Sequence, residues 1–255
     1  MAGRLLTHTD FESSAKVLSV HLLGIADFNT CLNLQRRLAF ELGERKDRHA
    51  HLLLCEHPPI ITVGRRGSRG DILCDEQELN SRQLPVQWIN RGGGTIVHAP
   101  GQLAVYPIMP IKRLGWGLSE FTERIRKSLL DLVQEFKIST HHADQNAVIE
   151  GKHGPLAFMG FSVQDWISYH GCYVNVMPDL FLQKLTKPLG QQDSLRPRIS
   201  SMASEKVRQI RMDSVRESII RHIQNRLNFP DCHLYSGHSL LRSTQSQTVL
   251  VRQTG

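Results

Sequence analysis

The 255-residue chain predicts one α/β (α+β) domain built on a mixed β-sheet with flanking helices. Two observations lead there. Short apolar runs alternate irregularly with amphipathic helical stripes, and glycine turns join consecutive strand candidates. No internal repeat or low-complexity stretch points to a solenoid or a linker.

The elements follow in order. Lys16 to Leu23 is apolar and β-compatible and ends at Gly24. Asn29 to Leu42 reads as a helix, with Leu32, Leu38 and Leu42 among its apolar positions. His51 to Cys55 is a buried strand. Pro58-Pro59 breaks it, and Ile60 to Val63 resumes before Gly64. Val86 to Ile89 is a strand that runs into Gly92-Gly93-Gly94. Leu118, Phe121, Ile125, Leu129, Leu132 and Phe136 form one stripe, which predicts a helix over Leu118 to Phe136. Ala147 to Glu150 and Leu156 to Val163 are strands joined by a turn at Gly151 to Pro155. Trp166 to Val176 follows as a further strand pair. Val215, Ile219, Ile220, Ile223 and Leu227 predict a second helix over Val215 to Leu227. The domain spans 17–228, with flexible ends at 1–16 and 240–255 and room for a small C-terminal piece.

Composition narrows the class. Hydrophobic residues make up 40% and charged residues 22%, as in ordinary globular proteins. No apolar run approaches the roughly 18–20 residues that span a bilayer. Asp10 and Glu12 and the lack of an apolar stretch argue against a signal peptide. The five cysteines are odd in number and show no CxxC pair or Cys/His metal spacing. They read as reduced thiols in a cytoplasmic protein without a metal site or cofactor. The net charge of +7 suits acidic partners. No basic run interleaved with aromatics marks a nucleic-acid groove.

The segment from Arg91 through Gly92, Gly93, Gly94, Thr95, Ile96, Val97 and His98 to Gln102 carries the clearest chemical signal. Adjacent glycines let the backbone approach a ligand with no Cβ between. Arg91 can hold an anionic or carbonyl group, and His98 can donate or accept beside it. The rival reading is a glycine-rich turn with a surface arginine. No Gly-Lys-Ser/Thr follows, so this is not a phosphate-binding P-loop.

Here the chain resembles the LipB-type octanoyl-[acyl carrier protein]:protein octanoyltransferases. Arg91-Gly92-Gly93, then His98-Ala99-Pro100-Gly101-Gln102 and Tyr106-Pro107, look like that family's signature. Glu56 to Arg65, Leu156 to Gly160, His170-Gly171 with Asn175-Val176 and Asp179-Leu180, and Ile199 to Met202 resemble its other motifs in the same order. The resemblance implies a biotin/lipoate protein ligase-like fold. It implies an acyl pocket formed by 91–98, by Phe158, Met159 and Gly160, and by His170, Gly171, Cys172 and Tyr173. It implies octanoyl-acyl carrier protein as donor and lipoyl carrier domains as acceptors, those of 2-oxoacid dehydrogenases and the glycine cleavage H protein. A monomer without nucleic-acid or membrane partners is expected.

The chain departs from the family where the chemistry sits. In the family a cysteine takes the acyl group as a thioester, and a nearby lysine activates it. Ungapped reading places Leu189 at the cysteine's position and Pro155 at the lysine's. Two substitutes present themselves. Lys152 is either an exposed turn residue or a cation shifted toward the pocket. Cys172 is either a buried small hydrophobe or a replacement nucleophile, and strand alternation puts it on the same side as His170. His98 and His170 are either pocket groups or satisfied structural histidines. His141, His142 and Asp144 form either a polar cluster or a solvated loop. Two functions remain: a transferase working without the covalent step, or a non-catalytic binder of a lipoyl domain, acyl carrier protein or acyl chain. An ATP-dependent ligase is weaker, for want of an adenylate-site lysine.

Overall fold

The computed structural model describes residues 15–141, 147–191 and 196–241. His142, Asp144 and most of both expected flexible ends lie outside the described residues. The elements run β1 (Val17–Ile25), α1 (Phe28–Glu44), β2 (Ala50–Glu56), β3 (Ile60–Val63), α2 (Glu76–Ser81), β4 (Val86–Trp88), β5 (Thr95–His98) and β6 (Gln102–Ile108). They continue with α3 (Leu118–Glu135), β7 (Thr140–His141), β8 (Val148–Gly151), β9 (Gly154–Gln164), β10 (Ile167–Asn175), α4 (Leu180–Gln183), α5 (Met202–Lys206), α6 (Met212–Arg226) and β11 (Asp231–Ser236).

The main sheet has the order β11-β1-β2-β6-β10-β9-β8-β7. It is mixed: β1 runs parallel to β2 and β11, and the pairs from β2 onward are antiparallel. One face is covered by α3 and α6. Their stripes, Phe121, Ile125, Leu129 and Leu132 with Val215, Ile219 and Ile223, bury against Leu18, Leu52, Leu54, Val105 and Cys172. Each fully buried aliphatic side chain of this kind contributes about 1.5–3 kcal/mol. Glu135 of α3 accepts from Ser218 at 2.7 Å and Arg221 at 2.8 Å, both on α6, which fixes how the two helices sit.

The other face carries α1 and a small second sheet of order β4-β3-β5. Asp27 caps α1 by accepting the Thr30 N–H at 2.8 Å. The helix then presents Cys31, Leu34, Leu38 and Leu42 to Leu53, Cys55, Ala104, Tyr106 and Tyr173 of the main sheet. The glycine loop lies between β4 and β5, so the small sheet hangs it over this face.

Several sequence expectations need correction. Trp166 to Val176 is one strand, β10, whose hairpin partner is β9. The region after 228 forms no separate piece up to Ser236, because β11 joins the edge of the main sheet beside β1. Strand β6, at the centre of that sheet, is an element beyond those the sequence predicts. Among the described residues no helix is long and apolar enough to cross a membrane.

Candidate functional site

The glycine loop is held by its own carbonyls. Those of Arg91, Gly93 and Gly94 accept from the N–H groups of Arg65, Arg66 and Gly64, at 3.0 to 3.2 Å. Gly93 adopts φ +82°, a conformation glycine takes without strain. Gly160 of β9 lies against the loop: a Cβ there would stand 2.4 Å from the Gly92 carbonyl oxygen. The approach of loop to strand therefore requires glycine at 160.

Arg91 is not a surface residue. It is 0% exposed, and its guanidinium donates to the Gly92 carbonyl at 2.9 Å and to the Thr62 carbonyl and hydroxyl at 3.0 and 2.9 Å. It lies 5.8 Å from the centre of the Tyr173 ring. Its Nε, like the Tyr173 hydroxyl, bonds to nothing among the described residues. Burying a cation without a carboxylate costs free energy. Arg91 is not among the residues that line the cavity between the glycine loop and β9.

His98 continues the network inward. Its Nε2 lies 2.8 Å from the Thr62 hydroxyl, and its Nδ1 lies 2.8 Å from Gln102 Oε1. An amide oxygen only accepts, so Nδ1 carries the proton and Nε2 accepts from Thr62. Burial first, then His57 and Arg91, push its pKa well below the ordinary value. Gln102 Nε2 donates on to Asn175 at 2.9 Å. Both ring nitrogens of His98 are thus committed within the protein, and it positions Thr62 rather than reaching toward a ligand.

The cavity lies between the glycine loop and β9. Gly93, Gly94, Thr95, Ile96, Phe158, Met159 and Leu189 line it, with Ala147 and Val148. Its volume is about 10 Å³, room for roughly one water. Leu189 rests on Gly94, where a Cβ would stand 3.4 Å from the leucine Cδ1. Among the described residues the lining contains no cysteine and no lysine. Pro155 is buried but not part of the lining. The β8–β9 pairing skips a residue just beyond it, and its carbonyl accepts from the Ser200 N–H at 2.7 Å. Lys152 is exposed at the tip of the β8–β9 hairpin and is not part of the lining.

Strand β10 divides the expected site. Tyr173 faces the loop, its ring 4.5 Å from that of His98. Cys172 points into the opposite core with Val105 and Val174, and burial alone raises its pKa. It is not among the residues that line the cavity. The expectation that Cys172 and His170 share a side fails for a local reason. His170 has φ +55°, which breaks the two-residue alternation. Its backbone N–H donates to Gln35 of α1 at 2.8 Å, and its Nδ1 has no partner among the described residues. Gly171 serves packing, since a Cβ there would meet the Val105 carbonyl. Val97 belongs to the core of the small sheet.

Several buried and half-buried histidines make stability depend on pH, among them His170 and His51. Burial, followed by Arg91 for His170 and by His49 and His21 for His51, holds both at about 3. Unfolding returns both to about 6.5. Below that pH the unfolded chain binds more protons, so stability is complete above about pH 6.5 and falls as pH drops toward 3. The expected slope is up to about 1.4 kcal/mol per pH unit for each group. Denaturant unfolding at several pH values checks this. His170→Asn tolerates the left-handed backbone and should make the acid slope shallower.

The same architecture occurs in solved lipoate-protein ligases. Lipoate-protein ligase A bound with ATP superimposes with TM-score 0.67 at 12% identity, covering 92% of this chain and 93% of that one. The bipartite lipoate protein ligase of Thermoplasma acidophilum gives 0.65 at 13%, covering 92% and 91%. The chain belongs to the lipoyl protein ligase A/B catalytic domain family, whose model matches residues 27–224. Within it, the chain is octanoyltransferase-like. It is 34% identical to the octanoyltransferase of Geotalea uraniireducens over 158 residues, 62% of this chain and 70% of that protein. It is 30% identical to that of Geobacter sp. strain M21 over 213 residues, 84% and 96%.

Proposed function

We propose that the protein transfers an octanoyl group from acyl carrier protein to a lysine of a lipoyl carrier domain in one step, without an acyl-enzyme. The observation that carries this reading is the cavity itself. It keeps the glycine floor in a chain of the octanoyltransferase type, and Leu189 lines it where a nucleophile is expected. The acceptor lysine amine attacks the thioester carbonyl. The C–N bond forms, the C–S bond breaks, and the carrier's thiol leaves with the proton the amine gives up. Gly93 and Gly94 let the backbone approach the acyl carbonyl closely, and Arg91 sets a positive potential beneath it. Among the described residues no strong base stands by. His98 has both nitrogens engaged, and His170, held at about 3, is a poor proton acceptor. Transfer is therefore slow. Arg65 and Arg66, exposed beside the loop, and the net charge of +7 favour acidic carrier proteins. We place this activity in a cytoplasmic monomer.

Intact-mass measurement of a mixture of protein, octanoyl-acyl carrier protein and lipoyl domain tests the reading. The expected result is slow acylation of the lipoyl domain and no mass added to the protein. The size of the cavity favours a second reading, a non-catalytic binder, because an eight-carbon chain enters only if Leu189 moves. No acylation, together with measurable binding of the lipoyl domain or the octanoyl carrier, would decide for it.

A further inference from the structure

Beneath the site, Cys31 of α1 and Cys55 and His57 at the end of β2 come together. All three are buried, and their ligand atoms lie within 4.8 Å of one another. Cys31 Sγ is 3.9 Å from Cys55 Sγ, and Cys55 Sγ is 3.5 Å from His57 Nε2. A tetrahedral zinc ion, with Zn–S about 2.3 Å and Zn–N about 2.0–2.1 Å, sets its sulfurs roughly 3.8 Å apart and sulfur from nitrogen roughly 3.6 Å apart. The Cys31–Cys55 and Cys55–His57 edges match those lengths, and the third lies within 4.8 Å. We propose that Cys31, Cys55 and His57 form a structural zinc site that clamps α1 to the end of β2.

The surroundings suit a metal as well as the distances do. His57 Nδ1 donates to the Ala26 carbonyl at 2.7 Å. That bond fixes the tautomer, so Nε2 is the nitrogen with a lone pair, and it faces the thiols. Outer bonds of this kind orient histidine ligands in metal sites. The Tyr106 hydroxyl lies 2.7 Å from Nε2 and is the oxygen at hand for a fourth ligand. Binding converts two thiols to thiolates and releases two protons to solvent, and the Tyr106 hydroxyl gives up its bond to Nε2. One Zn²⁺ with two thiolates and a neutral imidazole carries no net charge, so the complex leaves no unpaired charge in the core. A monovalent soft ion on the same three ligands would leave one negative charge buried, which is why zinc is preferred. The His57 ring packs against those of Phe28 and His98. The clamp therefore underlies the Thr62–His98–Gln102 relay without touching the cavity.

The reading is independent of any transferase activity, and its test needs none. The full-length protein is purified from zinc-supplemented cells without chelator, and its metal content is measured. One zinc per chain is expected, retained in Cys74→Ser and Cys232→Ser and lost in Cys31→Ser. Should Cys31→Ser fail to fold, cobalt reconstitution of the wild type still decides. A thiolate-to-cobalt charge-transfer band with tetrahedral visible bands supports the site. A zinc-dependent rise in melting temperature that chelator reverses supports it too. A wild-type protein that stays metal-free after incubation with zinc, shows no such bands and melts unchanged overturns the proposal. So does a bound metal whose loss follows Cys74 or Cys232 instead.

Discussion

Leu189→Cys gains a covalent octanoyl group on exposure to octanoyl-acyl carrier protein, where the wild type gains none. Leu189 already lines the cavity over Gly94, so a cysteine there presents its sulfur at the glycine floor while removing volume from a space of only about 10 Å³. Unassisted, that thiol has a pKa of about 8.5 and is a few per cent thiolate at neutral pH, so the adduct accumulates slowly. Adding Pro155→Lys supplies a cation. A fall of the thiol pKa toward 7 raises the thiolate fraction, and the rate, about tenfold. Intact-mass kinetics on the single and double variants separate the two effects. A folded Leu189→Cys protein that neither gains mass nor binds the octanoyl carrier would remove the acyl site from this cavity. An adduct whose rate ignores the added lysine would show that Pro155 does not occupy the activating position.

Gly171→Ala is expected to cost more than about 4 kcal/mol, or to prevent folding altogether. A Cβ at 171 would lie 2.0 Å from the Val105 carbonyl oxygen and 2.9 Å from Pro107 Cδ. Both belong to β6, which β10 pairs from Cys172 to Asn175, directly beside Gly171, so neither can step aside without disturbing the sheet. Cys172→Ala, one residue on, should cost only about 1–2 kcal/mol, the loss of a small buried group. It should leave acyl and lipoyl-domain binding as in the wild type, because Cys172 faces the core under α3 and α6. Denaturation midpoints of the two variants make the comparison. A Gly171→Ala protein of near-normal stability that binds acyl groups poorly would return Gly171 to the ligand site.

The elements with strong periodicity were legible from sequence. The stripe from Leu118 to Phe136 became α3 within a residue, and Ile60 to Val63 became β3 without change. β6 was overlooked because it opens at Gln102, inside the motif that drew attention as a ligand loop, and contains Pro107. β11 was overlooked because Asp231 to Ser236 is polar and mostly exposed, as an edge strand can be. The cavity-lining residues 93–96 and 158–159 were legible as motifs. What pattern could not supply was direction. One left-handed residue, His170, undid the alternation that placed Cys172 at the site. Nor could spacing reveal that Cys31 meets Cys55 and His57, since the encounter depends on α1 lying across β2. The burial of Arg91 was equally hidden, since an arginine beside three glycines reads as readily as a surface residue.

The parallel pairing of Val17 with Asp231 ties nearly the first described residue to nearly the last. Closing so long a loop adds little to the equilibrium cost, because loop entropy grows only logarithmically with length. Its weight falls on time. Contacts so distant in sequence form late, and on the ribosome they wait until Asp231 to Ser236 has emerged. Through that interval the outer edge of β1 stands with open N–H and C=O groups, a template for another nascent chain of the same kind. A chain released short of Asp231 would keep that edge for its whole life. Its defect would appear as self-association in a concentration series long before it appeared as a change in the cavity under the glycine loop.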